Sequence, residues 1–252
     1  MVACLSGLNR LEEFELDFRS PRIWRSRGLP PSTLCVLPAL TLLQFYGSIE
    51  YLEHLIAPID SPLLDKLYVT LLHQPELATP QLVQFVDRTP KLMGLHDAHV
   101  LFNTSEVDVS LSGTRHRGLD FTITRVPSDH FSVMAQLCTS SFLRALIPVI
   151  KHLYILDYGL QNFYRIAQSR WLDLLGPFTT MEDLYLSREF SPHIVSALHG
   201  VIREGTVEVL PSLQNLFLEK QVPGPFDQDL RQFVAAMHLS SRPIAVLKWD
   251  RR

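Results

Sequence analysis

Apolar and polar positions follow a pattern that recurs along the whole chain. Each copy has an apolar anchor, two variable residues, a leucine or other apolar residue, one variable residue and a further apolar residue. The six clearest copies begin at Leu11, Leu40, Leu64, Ile150, Met181 and Leu213, and two degenerate copies lie at 99–102 and 119–123. The alternation within each copy predicts a short β-strand with one buried face.

The spacing of the copies identifies a repeating structural unit. Within the two clear runs, the central apolar residues of successive copies are 24 to 32 residues apart. Leucine-rich repeats have periods of roughly 20–29 residues, so these units match that range or slightly exceed it. The longer units leave room for a complete helix between one strand and the next.

Helix signals fill the intervals between the strands. Five predicted helix starts have a capping residue followed by apolar positions at helical spacing: Ser48, Thr79-Pro80, Ser169, Ser191-Pro192 and Asp227. A further stripe, made by Phe131, Met134, Ala135 and Cys138, predicts another helix. Proline also precedes several anchors, where it ends the preceding helix and favours an extended approach to the strand.

Strands that alternate with helices at a regular period predict an α/β fold. We expect residues 1–252 to form one irregular leucine-rich-repeat solenoid, with a curved parallel sheet on the concave face and helices on the convex face. A doubly wound sheet would require longer apolar strands and a glycine-rich phosphate turn, and the sequence has neither.

The two ends of the predicted solenoid differ. The first unit has Val2, Leu5, Leu8 and Leu11 without a polar cap, whereas residues 243–252 look able to close the C-terminal end. Because solenoids need capped ends, we expect the N-terminal end to be truncated and to self-associate.

Composition narrows the function classes. The net charge is −3, so there is no overall basic field to attract nucleic acid or an anionic membrane. No apolar run reaches the roughly 20 residues needed to span a bilayer, and the first residues lack a signal-peptide pattern. Three widely spaced cysteines argue against a disulfide framework or a zinc site. We therefore expect a protein of the cytoplasm or nucleus.

The copies Leu-Pro-Ala-Leu, Ser-Pro-Leu-Leu-Asp-Lys-Leu and Leu-Pro-Ser-Leu-Gln-Asn-Leu-Phe-Leu-Glu, together with residues 232–249, resemble the leucine-rich-repeat region of fungal F-box-type proteins. The resemblance covers essentially the whole chain. It implies a substrate-recognition arm of a ubiquitin ligase. In such families an N-terminal F-box binds a Skp-type adaptor, and no F-box is visible before the first repeat, so adaptor binding is expected only if one is supplied upstream.

Motifs for catalysis are absent, since the chain has no GxGxxG, GxxxxGK[ST], HExxH or GxSxG. His96 and His99 flank a carboxylate, but on a regular strand they would point to opposite sides, which favours solvated or strand-edge histidines over a metal site. Residues 115–117, Arg-His-Arg, read as a loop tip, with an anion contact as the minority option. We expect no cofactor, no metal and no enzymatic activity.

The variable position between the two apolar strand residues should point onto the concave face. It is aromatic in four copies: Tyr68, Tyr154, Tyr185 and Phe217. The last three belong to consecutive repeats, so parallel pairing should place them side by side, with Tyr68 more distant. Such a row could be a hot spot for an unknown protein ligand, or it could simply stabilise the sheet.

Two functions follow from the sequence. The first is a protein-recognition module resembling the substrate-binding arm of an F-box receptor. The alternative is a ligase-independent scaffold or structural repeat protein. An enzyme would rest only on His96, His99 and scattered carboxylates.

Overall fold

A computed structural model describes residues 5, 7–18, 34–72, 79–103, 106–113, 118–124, 146–158, 168–204, 209–219 and 226–250. In these ranges the strands are β1 (Glu13–Asp17), β2 (Cys35–Val36), β3 (Leu42–Gly47), β4 (Ile59–Asp60), β5 (Lys66–Leu72), β6 (Leu95–Asn103), β7 (Glu106–Gly113), β8 (Gly118–Thr124), β9 (His152–Tyr158), β10 (Asp183–Leu186), β11 (Asn215–Glu219) and β12 (Ala245–Trp249). The α-helices are α1 (Ile49–Ile56), α2 (Pro80–Asp87), α3 (Gln168–Leu175), α4 (Ser191–Glu204) and α5 (Phe226–Leu239). The predicted helix at 131–138 and the Arg-His-Arg turn at 115–117 lie outside the described residues.

The fold is mixed α/β, with one large and mostly parallel sheet of ten strands. Its order is β1-β3-β5-β8-β7-β6-β9-β10-β11-β12, and β2 and β4 form a separate parallel pair. Every clear sequence copy supplies a strand of the large sheet, and the two degenerate copies supply β6 and β8. The prediction of a parallel α/β architecture is thus confirmed for these elements.

A β-meander interrupts the parallel order in the middle of the sheet. The chain runs from β5 through α2 to β6, turns back along β7 and turns again into β8, which pairs with β5. The expectation of an entirely parallel sheet, with strands in chain order, is wrong here. Strand β7 is antiparallel to both of its neighbours, and β8 lies beside β5 although it follows β6 in the chain.

The hydrophobic core lies on one face of the large sheet. Alternate strand residues such as Leu67, Leu153 and Leu216 are fully buried and belong to the same cluster as the buried residues of all five helices. The anchors Leu40, Leu64, Ile150 and Met181 are also fully buried. The repeated leucines therefore hold the helices against one face of the sheet.

Backbone hydrogen bonds repeat from unit to unit at the strand entries. The carbonyl of Lys151 accepts hydrogen bonds from the N–H groups of Glu182 and Asp183, and the carbonyl of Glu182 accepts them from Gln214 and Asn215. The turn before each strand thus accepts hydrogen bonds from the turn before the next strand, and these bonds fix the register of neighbouring strands.

Strand β12 lies at one edge of the large sheet. Residues 245–249 form it and pair in parallel with β11, and among the described residues no strand covers its other edge. Val246 and Leu247 are 37% and 41% exposed. At the other end Leu5 is buried while Leu8 is 43% exposed.

Candidate functional site

The face of the large sheet that points away from the helices is called the open face here. Its strand positions alternate with the buried ones and are partly exposed. In β5, for example, Tyr68 and Thr70 are half-buried between the buried residues Leu67, Val69 and Leu71. The open face is where side chains of many strands lie next to one another and remain accessible.

Four aromatic rings stack across the open face and form what we call the aromatic row: His99, Tyr154, Tyr185 and Phe217. The centroids of neighbouring rings are 4.2, 4.0 and 4.1 Å apart in that order. The ring planes differ by 4°, 13° and 7°. The row therefore crosses four adjacent strands, β6, β9, β10 and β11, as one nearly parallel stack.

Strand register accounts for the row. His99 pairs with Tyr154, Tyr154 with Tyr185 and Tyr185 with Phe217, all in parallel strands. In-register parallel strands place equivalent side chains about 4.8 Å apart, close to the stacking distance of aromatic rings. The predicted side-by-side arrangement of Tyr154, Tyr185 and Phe217 is confirmed, and His99 extends it by one ring.

Tyr68 occupies the same level of the sheet but does not join the stack. It pairs with Asp120 on β8, which pairs with Ser110 on β7, and two strands therefore separate Tyr68 from His99 on β6. The greater distance predicted for Tyr68 is confirmed. Its cause is the inserted meander, which the sequence did not reveal.

Trp249 borders the aromatic row from the edge strand. Its ring stands edge-on to Tyr185 and Tyr154, with centroids 5.7 and 6.3 Å away. The indole Nε1 donates a hydrogen bond of 3.4 Å to the carbonyl of Leu186. Trp249 is not among the predicted site residues, because the sequence predicts that residues 243–252 cap the C-terminal end.

A row of polar side chains lies beside the aromatic row, two residues earlier along each strand. It consists of His152 on β9, Asp183 on β10 and Asn215 on β11. Asp183 Oδ2 lies 2.8 Å from His152 Nδ1, and Asp183 Oδ1 accepts a hydrogen bond of 2.7 Å from Asn215. These bonds fix the Asp183 carboxylate below the ring of Tyr185. Side-chain hydrogen bonds thus link β9, β10 and β11 beside the rings.

Partial burial holds the aromatic row in its neutral form. Burial raises the pKa of Tyr154 well above its usual value, and a hydrogen bond with Tyr185 adds to the effect. Burial also raises the pKa of Tyr185. Burial lowers the pKa of His99, although Asp97 and Asp120 oppose that shift. At neutral pH the row therefore presents uncharged rings.

An open pocket of about 690 Å³ lies on the meander side of the row. Tyr68 and His99 lie at two of its walls, and Asp108 and Asp120 contribute carboxylates to its lining. Ser110 donates a short hydrogen bond to Asp120 Oδ1. Burial raises the pKa of Asp108, whereas a hydrogen bond with Thr122 acts to lower it. The pocket thus combines aromatic rings with acidic groups.

His96 departs from the predicted alternation. A bulge between Leu95 and Asp97 interrupts the pairing of β6 with β7, and the His96 ring lies 6.3 Å from that of His152 on the open face. The expectation that His96 and His99 point to opposite faces rested on a regular strand, which the bulge removes. Within the described ranges, no group of three His, Cys, Asp or Glu residues is arranged to hold a metal ion.

His99 could have been found from the sequence. Leu95, Ala98 and Val100 occupy the three apolar positions of a full copy, and all three are buried. Because alanine stands in place of the central leucine, this segment does not match the repeat pattern directly. The predicted copy therefore lies at 99–102 and not at 95–100. With the correct frame, His99 falls at the same outward position as Tyr154.

No protein-family model matches the chain, and neither a curated protein nor a solved structure shows significant similarity to it. None of the helices in the described ranges is long and apolar enough to cross a membrane.

Proposed function

We propose that this chain is a non-enzymatic protein-recognition module, built as a leucine-rich-repeat solenoid, that binds its partner through the open face. The observation that carries the proposal is the aromatic row. Four uncharged rings lie in a fixed stack on a half-exposed surface, across four adjacent strands of a large sheet.

Such a row suits protein binding for two physical reasons. Aromatic side chains give large contact areas and are enriched among the residues that dominate binding energies. The rings of Tyr154 and Tyr185 are also already ordered by their neighbours, so little side-chain entropy is lost when a partner binds.

The resemblance to fungal F-box-type proteins extends the proposal to a substrate-binding arm. In that arrangement the open face holds the protein to be ubiquitinated, and a separate F-box contacts the Skp-type adaptor. The chain itself then needs no cofactor and no catalytic group.

A scaffold role is the second candidate. The observation that favours it is that the rings mainly contact one another, with Trp249 against two of them. A row of this kind stabilises neighbouring strands even without a ligand.

Affinity purification from native cells, with and without substitutions in the row, separates the two functions. The test variant is Tyr154→Ser/Tyr185→Ser, and a matched double variant on exposed helix positions is Asp173→Asn/Asp229→Asn. Recognition predicts that a reproducible set of proteins is captured by the wild type and the helix variant but lost from the row variant.

Circular dichroism and denaturation midpoints must show that both variants are folded. Loss of partners from a folded row variant supports recognition. Equal capture by all three proteins contradicts it and favours the scaffold role.

A further inference from the structure

We propose that the open face binds a basic polypeptide segment, and that the pocket between Tyr68 and His99 receives an arginine side chain of that segment. This inference rests on the proposed recognition function and names the chemistry of the partner.

The first argument is the charge of the open face. Its described strand positions carry many carboxylates: Glu13, Glu15, Asp17, Asp97, Glu106, Asp108, Asp120, Asp183 and Glu219. On the same strand positions Lys66 is the one lysine, and there is no arginine. At the described strand positions of this face, acidic side chains therefore far outnumber basic ones. Such a surface attracts cationic partners and repels the phosphates of nucleic acids.

On the meander strands, the hydrogen-bond donors that the structure describes for three of these carboxylates are neutral. Ser110 donates to Asp120, Thr122 bonds Asp108, and the amide of Asn103 donates to Glu106 at 3.0 Å. Neutral donors orient a carboxylate without cancelling its charge. The negative potential over the meander strands therefore persists and can act on an approaching cation.

The second argument is the shape and composition of the pocket. Its acidic groups lie between aromatic walls, with Asp120 in register between Tyr68 and Ser110. A guanidinium group can stack on an aromatic ring and, at the same time, donate two parallel hydrogen bonds to a carboxylate. The ammonium group of lysine lacks the planar fork. The pocket therefore matches arginine better than lysine.

His99 is compatible with a bound cation. It lines the pocket and ends the aromatic row, and burial lowers the pKa of its imidazole, which favours the neutral ring. A neutral ring adds a stacking surface without repelling the guanidinium. A segment that reaches the pocket with one arginine can lay its following residues along the ring stack toward Phe217.

The test uses fluorescein-labelled octa-arginine, with octa-lysine and octa-citrulline as probes of the same length. Binding is followed by fluorescence anisotropy at 50 and 300 mM NaCl, because screening should weaken a charge-driven contact. The pocket variant is Asp108→Asn/Asp120→Asn, in which the amide oxygens still accept the native hydrogen bonds. The control variant, Asp173→Asn/Asp229→Asn, makes the same change in net charge on exposed helix positions.

We expect octa-arginine to bind the wild type, octa-lysine to bind severalfold more weakly, and octa-citrulline not to bind. The pocket variant should lose about tenfold in affinity, equal to about 1.4 kcal/mol, and the control should stay within about twofold. Equal losses in both variants would assign the binding to general charge and overturn the pocket. Absence of octa-arginine binding, or equal binding of octa-lysine, would also overturn the inference.

Failure of this inference is distinguishable from failure of the recognition function. If the row variant loses its cellular partners while the pocket variant keeps all of them, the open face binds proteins and the arginine assignment is wrong. If neither variant loses a partner, both proposals are wrong.

Discussion

Trp249 contacts Tyr185 edge-on, at a centroid distance of 5.7 Å, although their strands do not pair with each other. The indole reaches across β11 to the carbonyl of Leu186 on β10. An edge strand whose other residues are exposed is thereby tied to the aromatic row.

Replacing Trp249 should loosen β12. Trp249→Ala removes an edge-to-face aromatic contact, which contributes about 0.5–1.5 kcal/mol beyond area burial, and we expect a loss of about 1–2 kcal/mol in the free energy of unfolding. Urea denaturation measures the loss, and hydrogen exchange at the amides of β12 should accelerate. Val246→Ala, on the same strand and 37% exposed, is the control and should cost less. Equal costs for the two variants would contradict an anchoring role of the indole.

The stack of Tyr154 on Tyr185 should give a measurable coupling energy. In a double-mutant cycle with Tyr154→Ser and Tyr185→Ser, we expect the effects on unfolding free energy to be non-additive by about 0.5–1.5 kcal/mol, because either substitution alone breaks the contact. The same cycle between Tyr68→Ser and Tyr185→Ser should be additive within about 0.5 kcal/mol, since several strands separate these residues. Additivity in both cycles would show that the stack adds nothing to the sheet.

Glu53 should stabilise the start of α2. Its carboxylate accepts hydrogen bonds from the backbone N–H groups of Gln81 and Leu82, at 2.8 and 2.9 Å. Glu53→Ala removes both acceptors from a helix start where the Thr79 side chain makes no capping bond, and should cost about 1–2 kcal/mol. Glu50→Ala, at an exposed position of the same α1 helix, should cost only a few tenths of a kcal/mol. A smaller effect at Glu53 than at Glu50 in thermal or urea unfolding would refute the capping role.

Asp108 should make stability depend on pH. Burial raises the folded-state pKa of Asp108 above the ordinary value of 3.8. The contribution of its protonated carboxyl to the free energy of unfolding is therefore fully present below pH 3.8 and is lost as the pH rises through the folded pKa. Asp108→Asn should therefore be more stable than the wild type at pH 7, and the difference should disappear below about pH 3.8. Urea midpoints of the wild type and the variant across this range test the prediction. If the wild type instead becomes more stable relative to Asp108→Asn as the pH rises, the prediction is contradicted.

Local patterns predicted most of the regular elements. The alternation around Leu153 and Leu184, and the start signals at Ser48 and Thr79-Pro80, correspond to strands and helices that begin where expected. These features depend on neighbouring residues, which a sequence shows directly. The same patterns predicted three of the four rings of the aromatic row, because register follows from equivalent positions in equivalent repeats.

The features that were not predicted depend on distant pairing. The alternating segment Glu106–Gly113 has a clear strand pattern but is not among the predicted copies of the repeat. No local signal shows that β8 returns to pair with β5. Glu53 and Thr79 are another example, since the expected cap was local and the observed one comes from a preceding helix. The acidic pocket exists only because the meander brings Asp108 and Asp120 next to Tyr68.

The returned strand β8 also sets the order in which the protein can fold as it leaves the ribosome. In the C-terminal repeats, side-chain bonds between consecutive units join residues 31 or 32 positions apart, as between Lys151 and Glu182 or Asp183 and Asn215. The bond from Thr124 to the carbonyl of Leu71 spans 53 positions. During synthesis, β1, β3 and β5 can assemble early, but β5 keeps an unpaired edge until the meander has emerged. The interval before the meander has emerged is therefore the stage at which the nascent chain is most exposed to wrong strand pairing. The free edge of β5 is the region where binding of a chaperone would protect it most.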